Sequence, residues 1–151
     1  DMDHSFVKAD GAGAYQVGTP NIFSMAPLLG SVEIFEEAGI GNVRHKSLDL
    51  TRLMRELIAE QLPMLKDVTP GADEERGGHI ALAHEEAARI CKALKAEGVV
   101  PDFRAPDIMR FGFTPLFIDA GDVARAIGVI ADVMQNRLWD DPTYQQRAAV
   151  T

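Results

Sequence analysis

Apolar residues recur at helical spacing in four stretches of this chain. Met25, Leu28, Leu29, Val32 and Phe35 follow the 3.6-residue period and predict an amphipathic helix over roughly 24–38, stopped near Gly39. Leu50, Leu53, Met54, Leu57 and Ile58 predict a second, starting soon after Gly41 and ending before Pro63. Ala87, Ile90, Cys91 and Leu94 mark a third, ended by Gly98, and Val123, Ile127, Ile130 and Met134 mark a fourth. The fourth opens on "DAGD", where Asp119 suits the N-cap and Asp122 the positive end of the helix dipole. Shorter apolar runs predict strands at 65–69, 79–83, 99–103 and 108–113, with the polar "TPGADEERGG" as a loop between the first two. Neighbouring strands on short connections favour antiparallel pairing. The expectation is an α+β domain: a small antiparallel sheet of three to four strands with helices packed on one face. A connecting arm is expected over 1–40, the domain over 41–137, and a polar tail over 138–151.

One strand breaks the pattern. In "APDIMRFGFTPLF", residues 105–117, alternation puts Met109, Phe111 and Phe113 on one face and Ile108, Arg110 and Gly112 on the other. A guanidinium is always charged and needs its donors satisfied. Gly112 on the same face leaves space above the backbone, which suits two-pronged capture of a small carboxylate. A structural salt bridge to one of the 23 acidic residues, or an edge-strand arginine reaching solvent, accounts for the charge equally well.

Other candidates are weaker. "QVGTPNIF", residues 16–23, is a turn before a helix, where free N–H groups and the Thr19 hydroxyl suit a phosphate. The plainer reading is a loop with Asn21 or Ser24 as N-cap. His4, His45, His79 and His84 are scattered, with no metal-binding spacing, although His84 is placed for a capping role. "DEER" at 73–76 reads as a solvated loop. Cys91 lies on an apolar stripe and reads as a buried, inert thiol. Being alone, it excludes an internal disulfide and a cysteine-based zinc site and fits a reducing cytoplasm. The net charge of -8 argues against nucleic-acid or anionic-membrane partners, and no apolar run approaches the roughly 18 residues that span a bilayer. The first residue is not Met, and the glycine-bearing lead before Pro20 reads as a segment arriving from elsewhere. That predicts the C-terminal part of a longer protein.

Three separated stretches, in order, resemble the kynureninase family. They are "GTPNIFSMAPLLGSVEIFEEAGIGNVRHKSLDLT", "ERGGH" at 75–79, and "GVVPDFRAPDIMRFGFTPLF" with Gly98, Asp102, Arg104, Pro106, Arg110 and Pro115. The resemblance implies the small C-terminal domain of a fold type I pyridoxal-phosphate enzyme. Such enzymes hydrolyse kynurenine, or its 3-hydroxy form, to anthranilate or 3-hydroxyanthranilate and alanine in tryptophan catabolism. It implies a cytoplasmic homodimer. It also places the substrate carboxylate on Arg110, and the cofactor phosphate and substrate ring near Gly18 and Thr19, with Thr19 as the cofactor contact. No catalytic residue is carried over. None of the five lysines sits in the family's cofactor-bonding context, so that lysine is expected upstream. The reading of another class is a stand-alone α+β module that binds an amino acid without chemistry.

Overall fold

The computed structural model describes residues 7–16 and 18–145. The chain forms two compact units that divide between Gly39 and Ile40. In the first, a single turn at Gly11–Tyr15 precedes helix α1 (Ile22–Ala38). Asn21 caps α1, its side chain accepting from the Ser24 N–H at 3.3 Å. Gly39 ends it at φ 74°, a left-handed conformation that glycine adopts without strain, and donates its N–H to Phe35 at 2.9 Å. The expected apolar positions are helical, but they do not stand apart as a stripe. Ile22, Phe23 and Ile34 add apolar surface beside them, and every large apolar residue of α1 is exposed, Phe23 to 92%. The amphipathic reading of α1 is therefore corrected: it is an apolar helix with no buried face among the described residues.

The second unit runs α2 (Ile40–Gln61), β1 (Lys66–Asp67), β2 (His79–Ala83), α3 (Ala87–Ala96), β3 (Asp102–Arg104), β4 (Ile108–Gly112) and α4 (Ala120–Gln135). The sheet order is β1-β2-β4-β3 and every pair is antiparallel. Ile80 faces Phe111 and Leu82 faces Met109 across the central pair, and all four are buried. With Met54, Ile58, Ile90, Leu94, Val123, Ile127 and Ile130 from the helices they form one core on one side of the sheet. The α+β expectation holds. Burying each such side chain contributes roughly 1.5–3 kcal/mol, so the three helix stripes anchor this unit.

The sequence misplaces two strands, for traceable reasons. Residues 99–103 look like a strand, but Val99 and Gly98 close helix α3. The Val99 N–H donates to Leu94 at 2.8 Å and that of Gly98 to Lys95 at 3.2 Å, with Gly98 at φ 86°. This is a glycine-closed helix end, whose C″ residue is apolar for contact with the core. The strand begins only at Asp102. On the other edge, β1 keeps two residues because side chains replace the ladder: the Thr69 hydroxyl accepts from the Ala81 N–H at 2.9 Å, and Asp67 accepts from the Thr69 N–H at 2.8 Å.

Two polar expectations also change. The "DEER" loop is not wholly solvated, since Arg76 is buried, with Nη1 donating to the Gly71 carbonyl and Nη2 paired to Asp73. The segment after Gln135 reads from sequence as a polar tail, but Trp139 is buried in the core and Tyr144 packs against it. The guanidiniums of Arg89 and Arg137 lie 5.2 and 5.1 Å from the Trp139 ring, and both donate to Asp140. A tryptophan between two arginines attracts both through its ring faces, and the shared carboxylate neutralises part of their charge. Residues 146–151 of the expected tail lie outside the described residues.

Candidate functional site

Arg110 sits at the centre of β4, on the face of the sheet opposite the core. Register defines its neighbours there. Ala81 is its partner on β2, Asp102 its partner on β3, and Ile108 and Gly112 flank it along the strand. Two of these residues are small, so the guanidinium stands on an open floor. A Cβ added at Gly112 would meet nothing within 4 Å, so this glycine is not demanded by packing. The space beside Arg110 is real, as alternation required.

Asp102 engages Arg110 directly. The Arg110 Nε donates to Asp102 Oδ2 at 2.9 Å, and Nη2 donates to the same oxygen. Arg104, two residues along β3, donates its Nε to that oxygen at 3.0 Å. The Asp102 carboxyl is held below the ordinary carboxylate range, first by the Arg110 hydrogen bond, with the charges of Arg104 and Arg110 adding to it against a smaller effect of burial. Arg110 Nη1 makes no hydrogen bond to a described residue. The side chains of Arg110 and Asp102 are 35% and 49% exposed. Exposed pairs typically contribute 0–1 kcal/mol, so stability alone is a thin reason to keep a charge in the middle of a strand.

Gly18 and Thr19 belong to the first unit and Arg110 to the second. Both turn residues are exposed. They line an open hollow of about 530 Å³ with Gly13, Gln16 and Pro20, and the Gln16 amide donates to the Gly18 carbonyl at 3.4 Å. The Thr19 hydroxyl has no hydrogen-bond partner among the described residues. Val17, next to Gly18 in the chain, lies outside them. The Asn21 cap of the plainer reading is present, and it satisfies the Ser24 N–H.

Other polar groups have structural work. His84 Nδ1 accepts from the Glu86 N–H at 3.0 Å, the capping role its position suggests. Burial pushes the Cys91 thiol up to about 12, which leaves it protonated and inert at neutral pH. A hollow of about 580 Å³ between α4 and the end of β4, lined by Val99, Phe111, Phe113 and Ile118, and one of about 830 Å³ beside α3, lined by Cys91, Lys95 and Phe103, do not include Arg110. No helix among the described residues is long and apolar enough to cross a membrane.

Sequence reading missed the partnership of Asp102 with Arg110. The signal was available, since a hairpin turning near Pro106 sets residue 102 opposite residue 110.

Known proteins are similar to this chain in sequence. Residues 43–130 match the family described as kynureninase C-terminal domain. The chain is 51% identical over 138 residues to a kynureninase of Bacillus mycoides and 50% identical to one of Bacillus cereus, in each case over 90% of this chain and 32% of the relative. It is 48% identical over 141 residues to a kynureninase of Geobacillus thermodenitrificans, covering 92% of this chain and 33% of that protein. The chain thus spans about a third of the length of the curated relatives it matches.

Proposed function

The chain belongs to the kynureninase family, and from that premise we propose that it is the substrate-clamping part of a longer enzyme that hydrolyses L-kynurenine to anthranilate and L-alanine. The observation that carries the proposal is Arg110: a permanently charged fork on an open, small-residue floor, with one terminal nitrogen unbonded to any described residue. A planar guanidinium binds a carboxylate through two parallel hydrogen bonds and fixes its orientation as well as its position. Held so, an amino acid presents its side chain at a set angle to the reacting centre.

Pyridoxal phosphate is the cofactor the family implies, and it supplies the electron sink for cleavage at the substrate's side chain. The residues here fit an edge of its site rather than a whole cradle. The exposed Thr19 hydroxyl, free of hydrogen bonds to described residues, suits a phosphate oxygen, and Gly18 leaves the turn open beside it. On this reading Gly18 and Thr19 approach the cofactor phosphate and the substrate ring of the other subunit in a cytoplasmic homodimer, and the cofactor-bonding lysine is supplied by the rest of the protein. The arm, domain and tail boundaries expected from sequence belong to the same proposal, with the tail shortened by the docking of Trp139. A 3-hydroxylated kynurenine is the companion substrate to test.

The test uses full-length enzyme carrying Arg110→Ala and Arg110→Lys. Truncating one partner of a buried charge pair costs ~2–5 kcal/mol, so catalytic efficiency toward L-kynurenine should fall roughly 30-fold to several thousand-fold, with thermal stability nearly unchanged. Lys keeps the charge and loses the fork, so it should recover little. Normal kinetics with a lowered melting temperature would assign Arg110 to structure instead.

A further inference from the structure

A guanidinium has two edges that can take a carboxylate. The side edge is formed by Nε and one terminal nitrogen, and the end edge by the two terminal nitrogens. In this structure the side edge of Arg110 is filled, with Nε and Nη2 both on Asp102 Oδ2. The end edge is left with Nη1 unbonded to any described residue. Asp102 therefore leaves the second edge open to another carboxylate.

The backbone fixes this arrangement. Asp102 and Arg110 are register partners on adjacent antiparallel strands, so their side chains leave the same face from neighbouring positions. Arg104 donates to the same carboxylate oxygen from two residues along β3 but does not touch Arg110, so the side edge of the guanidinium is filled by Asp102 alone. An arginine alone on an open face would sample many rotamers and lose that freedom on binding. One held along its side edge has already lost it.

We propose that Asp102 is a positioning residue for the carboxylate-binding arginine: it holds the side edge of the Arg110 guanidinium so that the end edge faces the incoming carboxylate. The inference rests on the reading of Arg110 given above, and it makes a distinctive prediction of sign. By charge alone, removing a carboxylate from beside an anion site strengthens anion binding. By orientation, removing it weakens binding.

The experiment compares full-length holoenzyme carrying Asp102→Asn, Arg110→Ala, both changes together, and Arg104→Ala, with L-kynurenine as the probe and with KM and kcat measured separately. Misplacing a binding group by about an ångström can cost on the order of a hundredfold. Asp102→Asn should raise KM by about tenfold or more at an unchanged melting temperature, with a smaller change in kcat. The same change should add nothing in the Arg110→Ala background, since its effect runs through that side chain. Arg104→Ala, which leaves the side edge of Arg110 occupied, should stay within about twofold of wild type. A KM that falls or holds in Asp102→Asn while Arg110→Ala raises it would overturn the positioning role and leave the Arg110 reading standing. An equal rise in Arg104→Ala would assign the effect to the β3 strand and would also overturn it. A normal KM in Arg110→Ala would remove the reading on which the inference rests.

Discussion

Helices α1 and α4 are nearly the same length, each is capped by an Asn or Asp side chain, and each carries apolar residues on the helical period. They have opposite fates. α4 buries Val123, Ile127, Ile130, Val133 and Met134, while α1 buries nothing among the described residues. The difference lies in what surrounds the stripe. The other face of α4 carries Asp122, Arg125 and Asp132, so one orientation satisfies it. α1 carries Phe23 and Ile34 on the side opposite its stripe, and no single orientation covers them all. A helix with apolar residues on opposite sides requires cover on more than one side. Periodicity reports which residues favour burial; it does not report what supplies it.

The sharpest way to break this comparison is to truncate one apolar side chain in each helix. Ile130→Ala, fully buried, should cost about 2–5 kcal/mol of unfolding free energy. Leu29→Ala, 70% exposed, should change it by no more than about 0.5 kcal/mol. Urea denaturation of the same chain measures both, and equal losses would show that α1 is buried in solution.

The caps offer a finer contrast. Asp119 and Asp122 form a reciprocal pair: the Asp119 side chain accepts from the Asp122 N–H at 3.0 Å, and the Asp122 side chain from the Asp119 N–H at 2.9 Å. Asp119→Ala should cost ~1 kcal/mol, visible in the main unfolding transition because α4 is welded to the core. Asn21→Ala removes a similar contact but should shift only helical content by circular dichroism, leaving that transition in place.

The smallest effect concerns Asp67 and acid. Burial raises its carboxyl, but hydrogen bonds from Thr69 and Arg55 outweigh that and hold it below the ordinary carboxylate range. A depressed folded pKa contributes stability above the unfolded value, which is near 4, and loses it as pH falls through the folded one. Wild type should therefore exceed Asp67→Asn at neutral pH by about 0.2–1 kcal/mol. The gap should close below pH ~4. A gap that widens in acid would contradict the assignment.

Much of the second unit was legible because its elements agree with their own periods. β2 runs over the expected residues, and the alternation of Met109 and Phe111 against Arg110 is the alternation observed. The failures are places where a different interaction wins locally. Val99 and Val100 look like a strand, yet the helix-closing bonds at Gly98 claim that stretch. Thr69 does with a hydroxyl what a strand does with its backbone. Arg110 was legible as an anomaly, but the filling of its side edge was not. Alternation assigns faces, and only strand register assigns partners.

The two arginines around Trp139 bear on where this chain can be cut. On sequence alone the helix ends at Gln135 and the polar residues beyond it look expendable, so a shortened gene would stop there. Such a version would lose the indole that covers α3, leave Arg89 without Asp140, and strip Lys92 of the Tyr144 carbonyl it binds at 3.0 Å. A version carried through Gln145 keeps all three. Expression yield and protease resistance should differ between two clones only ten codons apart.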